Sequence, residues 1–413
     1  MVRRGEEVRP RLLDHAMSQS PIQRAGEETT VLPRAPALRL DLLLLLATVG
    51  LLACSLVTIG TATRNDVPGS PHFYLDRQAV YAGVGLVLML VLSRIDYSRL
   101  RELKYGLYAL MIGSILLVLG LGSAARGSRR AFSLPFISFQ PSELGKLLLV
   151  LGVSAFVVDR IRRLRERDTT ARTMLLALFP ALLVILQPDL GTGMVYVVIA
   201  VAVLFVAGTS WRHFAALGAV FVVSVTLVLG AAPAMGVQLL KPYQVQRLTG
   251  FLSPSSNPRD QTYQLNQSRI AIGSGEKTGR GPAQATQTKL NFLPEHHTDF
   301  VFAVVGEEYG FLGAAIVLAL YALLLWRSLR ILTLSKNLYG ALLAGGILAM
   351  LAFQAFVNIG MTVGIMPITG VPLPLMSYGG SSVIVTLLAL GLLQSIYAEA
   401  RTAAAFKGRA LNL

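Results

Sequence analysis

The sequence predicts an all-α polytopic membrane protein with ten transmembrane helices, both termini cytoplasmic, and a large extracytoplasmic loop between helices 7 and 8. Three observations predict it: a mean hydropathy of +0.60, apolar stretches that recur ten times, and an asymmetric placement of Lys and Arg. Over 413 residues, 54% are hydrophobic and only 14% charged. Soluble domains carry about a quarter charged residues, so a soluble globular enzyme is excluded. The formal charge of +15 points to nucleic acid in a soluble chain, but to cytoplasmic loops and anionic headgroups in a membrane chain. Cys54 is the single cysteine, which excludes an intrachain disulfide and argues against a Cys-based metal site.

Residues 1–38 are polar, contain Pro10, Pro21, Pro33 and Pro36, and read as a disordered cytoplasmic tail. Residues 39–400 form the membrane domain, and 401–413 a cytoplasmic C-terminal tail. The first apolar stretch, 40–61, is too long for a signal-peptide core and lacks a nearby cleavage site, so it reads as an anchor. Further stretches lie at 78–93, 105–121, 143–158, 173–187, 190–207, 213–233, 300–325, 338–363 and 380–398. Only Gln187-Pro188-Asp189 separates the fifth from the sixth. Pro removes a donor there, and Gly191 and Gly193 loosen the start of the sixth stretch, which predicts a tight hairpin.

An even number of spans puts both termini on one side. With that side cytoplasmic, its segments hold 24 of the 37 basic residues, against 5 in the opposite short loops. The long loop, 234–299, holds 7 more and is too long to count in the positive-inside rule. The cluster Arg160, Arg162, Arg163, Arg165 and Arg167 therefore reads as an anchor on anionic membrane lipids. Nucleic acid is not expected as a partner.

Polar residues at membrane depth carry the functional information, because scaffold spans have no need of them. Glu143 and Lys146 lie three apart on one face of the fourth helix, either as an ion pair within the bundle or facing substrate. Asp189, in the hairpin, is a cap for the next helix or a cavity carboxylate. In the long loop, Tyr263 to Ile272 reads as a short interfacial helix stopped by Gly273 and Gly275. The loop closes with Glu295, His296, His297, Thr298 and Asp299 at the edge of the eighth span. Partial desolvation at that edge favours Asp299 as a base; an N-cap is the alternative. Adjacent histidines on an extended chain point apart, which argues against metal ligation by the pair. Finally, Met366 to Ser382 places three prolines and several glycines where a helix is expected. Such backbone lines a cavity or is buried in protein, and its hydroxyls, Ser377 among them, are candidates to receive a polar headgroup.

Five strings occur in order: FQPSELGK (139–146), QPDLGTG (187–193), YQLNQSRIAIGSG (263–275), LNFLPEHHTDFVFAVVGEEYGFLG (290–313) and GVPLPLMSYGGSS (370–382). Together they resemble the SEDS family (shape, elongation, division and sporulation) over about residues 40–400. Residues 286–313 are more similar to its elongation-type (RodA-type) members than to its division-type (FtsW-type) members. The resemblance implies a peptidoglycan glycosyltransferase that polymerises lipid II into glycan strands at the outer face of the bacterial cytoplasmic membrane. It implies a class B penicillin-binding protein as transpeptidase partner within the elongation machinery, and Asp299 as the essential acid. Glu143, Lys146 and Asp189 match positions lining or supporting a central cavity, and Arg130 matches the arginine preceding the QPSE string. Two departures stand out: Ala131 where the family usually has Trp, and Glu276 after Gly275 where the family's turn commonly reads Gly-Ser-Gly-Gly.

Glycan polymerisation needs a base for the acceptor hydroxyl and positive charge for the departing pyrophosphate. Asp299 is the expected base. Arg130, Arg247 and Arg269 are the leading candidates for the charge, with a divalent cation as the other source; the sequence points to no other cofactor. Glu295, His297 and Ser377 complete the expected cavity. A lipid II flippase, a division-type (FtsW-type) member of the same family and a non-catalytic scaffold are the competing readings. The chain shows no internal repeat of the transporter kind, and its polar residues cluster at one face.

Overall fold

The computed structural model describes residues 40–125, 128–133, 138–231, 233, 235, 261–290 and 292–410. The predicted N-terminal tail, Arg247 and most of the first half of the long loop lie outside the described residues, as does the side chain of Arg130. The described chain is overwhelmingly helical: α1 (Leu42–Ala62), α2 (Phe73–Leu92), α3 (Lys104–Leu121), α4 (Pro141–Asp159), α5 (Arg167–Leu186), α6 (Leu190–Val206), α7 (Trp211–Thr226), α8 (Gln261–Ser274), α9 (Thr286–Lys289), α10 (Val301–Leu334), α11 (Leu338–Val363) and α12 (Gly380–Ala410).

Local chemistry sets several of these boundaries. Asp41 caps α1 by accepting from the Leu44 N–H at 3.0 Å, and Pro141 sits in the first turn of α4, where its missing donor costs nothing. Asp189 caps α6, and Asn337 caps α11. Gly364, with φ of 89°, ends α11 in the left-handed conformation.

Among the described residues, eight helices are long and apolar enough to cross a bilayer: α1 to α5, α10, α11 and α12. The hydropathy pattern predicts ten spans; the other two positions are held by α6 and α7, which are apolar but only 17 and 16 residues long. The tight hairpin shortens α6 at one end, and Gly208, with φ of 84°, closes it at the other. A small antiparallel sheet, β1 (Ser123–Ala125), β2 (Ser128–Ser133) and β3 (Ser138–Phe139), fills the loop before α4. The expected topology had only a loop there, since strands this short leave no periodic trace.

Helices sort into inner and outer by burial. In α4, 83% of the apolar stretch is buried, against 17% in α3. The inner set α4, α6, α11 and α12 packs together, while α2, α3 and α7 turn apolar side chains such as Val87, Leu116 and Val222 outward. In a bilayer those side chains meet lipid tails, so their exposure carries no hydrophobic cost.

α10 is broken near one end. Gly310 has φ 62° and ψ −157°, so 301–309 forms a buried half-helix and 311–334 the long span. The break frees backbone groups, and the turn after α8 takes them up: Arg280 N–H donates to the Glu307 carbonyl at 2.9 Å, and Phe311 N–H to the Glu276 carbonyl at 2.9 Å. A Cβ on Gly310 would fall 2.3 Å from the Gly279 nitrogen, so only glycine fits. Glu276 itself adopts φ of 48°, a region favouring glycine, which is the local consequence of the departure noted there.

Asp41 also locks the other end of the bundle. It binds Arg327 through both carboxylate oxygens, and its backbone exchanges two hydrogen bonds with the side chain of Gln394. α1, α10 and α12 are thereby tied at one point. Asp41→Asn keeps a capping oxygen but leaves Arg327 without its charge partner. Removing one partner of a buried pair costs about 3 kcal/mol, so a fall of several degrees in thermal midpoint is expected in detergent solution.

Candidate active site

Asp299 sits on a turn built around one carbonyl. The Glu295 carbonyl accepts N–H bonds from Thr298, Asp299 and Phe300 at 3.2, 3.0 and 3.3 Å. Glu295 adopts φ of 56°, and its carboxylate accepts from the Thr298 hydroxyl at 3.0 Å. Such positive φ in a non-glycine residue stores strain of order 1 kcal/mol. The surroundings hold it in place. Asn358, fully buried on α11, donates to the Asp299 carbonyl at 2.9 Å and to the Val371 carbonyl at 2.8 Å.

The irregular segment 364–379 lies against this turn. Ser377 is buried: its hydroxyl donates to the Thr298 carbonyl and accepts from the Leu373 N–H, and the Tyr378 N–H donates to the His297 carbonyl at 2.9 Å. From the other side, Gln78 donates to the Ser377 carbonyl and to Ser55, and Ser55 donates to the Met376 carbonyl. Tyr321 closes on the Pro374 carbonyl. The non-helical backbone is thus satisfied by side chains of α1, α2 and α10, as a membrane interior requires. Gly370, with φ of 71°, faces Asp299: a Cβ there would lie 3.6 Å from Asp299 Oδ2.

Next to this segment lies a second polar group, at the starts of α4 and α6. A Cβ on Gly191 would meet Val371 and the Thr369 carbonyl, so the Asp189 cap abuts the backbone beside Gly370. Asp189 accepts from the Thr192 N–H at 3.0 Å and from Gln140 at 3.2 Å. Glu143 and Lys146 pair at 2.7 Å and are each almost wholly buried. The helical spacing predicted that pair, and the capping reading of Asp189 matches its hydrogen bonds. Both groups therefore flank one irregular segment.

Other candidates fall elsewhere. Arg269 lies exposed on α8, its aliphatic chain over Gly364. α8 does not lie alone: Leu265 and Ala271 pack with Phe300, Ala303 and Met361, and Ser268 donates to the Thr362 carbonyl. Arg130 is on β2. Arg162, Arg163 and Arg165 are exposed between α4 and α5, and Arg167 is exposed at the start of α5. Glu307 is fully buried and accepts from Gln287 and Thr288, so it caps α9. Glu308 accepts from Thr61 at 2.6 Å.

The histidine pair requires a correction. The expectation that adjacent imidazoles point apart assumed an extended chain, whereas residues 294–299 form a turn. Both rings face Asp66, on the connection between α1 and α2: His296 Nε2 is 3.2 Å and His297 Nδ1 3.9 Å from Asp66 Oδ2. Tyr74 and Tyr378 pack around His297, with ring centroids 4.7 and 5.7 Å away.

Asn358, Gln78 and Asp66 left no mark in the sequence pattern, because a single amide or carboxylate in or beside an apolar stretch carries no spacing signal. Asn358→Ala leaves two carbonyls short of a donor, at about 1–3 kcal/mol each. The expected result is a lowered thermal midpoint together with a turnover loss of tenfold or more, measured on purified protein.

The fold and site define a polytopic membrane protein in which one half-buried carboxylate is braced on a strained turn beside a buried polar cluster of the inner helices. The chain belongs to the SEDS family: the family model FtsW/RodA/SpoVE, described as cell cycle protein, matches residues 37–402. It is 38% identical over 358 residues to the peptidoglycan glycosyltransferase MrdB of Escherichia coli (strain K12), covering 87% of this chain and 93% of that one. A chain from a structure on coordination of polymerization and crosslinking by a peptidoglycan synthase complex is 34% identical. That match has a TM-score of 0.73 and covers 88% of this chain and 99% of that one. The rod shape determining protein RodA of Thermus thermophilus is 32% identical with a TM-score of 0.64, covering 88% and 98%. The apolar helices and the bacterial relatives make this an integral protein of the bacterial cytoplasmic membrane.

Proposed function

We propose that the chain is a peptidoglycan glycosyltransferase that polymerises lipid II during cell elongation, with Asp299 as general base. The observation that carries the reading is the braced turn: four backbone carbonyls, of Glu295, His297, Thr298 and Asp299, are bonded to hold one carboxylate against Gly370. Membership of a family containing named peptidoglycan glycosyltransferases supports it.

In the reaction, the 4-hydroxyl of the acceptor sugar gives its proton to Asp299 and its oxygen attacks the anomeric carbon of the donor. The bond from that carbon to the polyprenyl pyrophosphate breaks, and the pyrophosphate leaves with the electron pair. Arg130, Arg247 and Arg269 supply positive charge for it. The Glu143–Lys146 pair and Asp189 shape the inner wall of the cavity. Both termini lie in the cytoplasm and the site faces outward, as the distribution of basic residues supports. The peptidoglycan synthase complex among the structural relatives supports a class B penicillin-binding protein as partner.

Reconstitution with labelled lipid II tests the reading, with a vesicle assay for lipid translocation alongside. Glycan product made by the purified chain with its partner is the expected result. Translocation without product identifies a flippase, and neither activity identifies a scaffold.

A further inference from the structure

We propose that Asp66, His296 and His297 form a divalent cation site that pins the α1–α2 connection to the Asp299 turn. One ligand atom from each lies within 4.8 Å of the others. Ligands bonded to one cation at ~2.0–2.2 Å stand roughly 3.0–3.5 Å apart, and the His296–Asp66 separation of 3.2 Å meets that range. The His297–Asp66 separation is 3.9 Å and the two imidazole ligand atoms lie within 4.8 Å of each other, so His297 must rotate toward the other two ligands to close the site.

The surroundings of His296 fit a ligand. Its side chain is 5% exposed, and its Nδ1 lies 3.2 Å from the Leu293 carbonyl. An N–H donated there orients the ring so that Nε2 faces Asp66, and in the neutral ring Nε2 carries a lone pair. Metal-bound histidines are commonly oriented by such a bond. Nε2 is buried and has no hydrogen-bond partner among the described residues. A carboxylate opposite a lone pair is repulsive unless a cation stands between them, either a metal or a proton on the ring.

Two imidazoles and one carboxylate select a first-row transition cation over Mg²⁺ or Ca²⁺, which take oxygen ligands, and Zn²⁺ over Mn²⁺ in affinity. Three protein ligands leave coordination positions open to water or to a phosphate oxygen. The site rests on its ligands alone and is independent of the polymerase reading.

The test uses the full chain, without a polyhistidine tag, purified in detergent and stripped with chelator. On titration with Zn²⁺, about one equivalent is expected to bind per chain and to raise the thermal midpoint, while Mg²⁺ at the same concentration leaves it unchanged. Asp66→Asn and His296→Gln are each expected to weaken Zn²⁺ binding at least tenfold. Wild type that binds no stoichiometric Zn²⁺, or variants that bind it as tightly as wild type, overturn the proposal. Zinc K-edge absorption on the wild type does not rely on any variant folding: two imidazoles in the inner shell are expected, and their absence overturns the proposal equally.

Discussion

Asp299→Asn is expected to lower the rate of lipid II polymerisation by about 10²–10⁴-fold, the usual contribution of a positioned base, with the thermal midpoint unchanged. The turn is held through backbone atoms, the Asp299 N–H to Glu295 and the Asp299 carbonyl to Asn358, and an amide side chain disturbs neither. The substitution preserves size and removes proton-accepting power. A loss of turnover with full lipid II binding, measured by filter retention or photocrosslinking, separates this from a folding defect.

Lys146→Met is expected to have the largest effect on stability. Glu143 and Lys146 are both nearly inaccessible to solvent, so the change leaves a buried carboxylate unpaired, at about 3–5 kcal/mol. Expression and thermal midpoint should fall together. The double variant Glu143→Leu, Lys146→Met removes both charges, and replacing a whole buried pair by apolar side chains is often neutral or stabilising. Its thermal midpoint should recover. Activity measured on that stable double variant then reports the pair's contribution to catalysis apart from folding.

Features with a local period were legible in the sequence. Helix positions, the hairpin at 187–189, a helix over 263–272 (which in the structure runs from Gln261 through Gly273 to Ser274) and the facing of Glu143 and Lys146 arise from spacing, prolines and glycines within one turn or two. The features that brace the site come from distant parts of the chain. Arg327 reaches Asp41 across 286 positions, Asn358 reaches Asp299 across 59, and Gln78 reaches Ser377 across 299. No short window of the sequence contains both partners. The break at Gly310 was hidden for a related reason: residues on both sides are helical, and only the docked turn at 275–281 takes up the backbone groups the break releases. The histidine pair misled because the left-handed Glu295 curls the chain where an extended segment was assumed.

Charge and shape at position 299 can be separated in one comparison. Asn matches the shape of Asp without its basicity, whereas Glu keeps the basicity and displaces it by one methylene. Polymerisation of labelled lipid II by Asp299→Asn and Asp299→Glu, at equal protein and equal bound substrate, therefore tests the base assignment most directly. If Asp299 is the base, the Glu variant keeps measurable activity and the Asn variant falls well below it. An Asn variant as active as the Glu variant, or near wild type, contradicts the assignment.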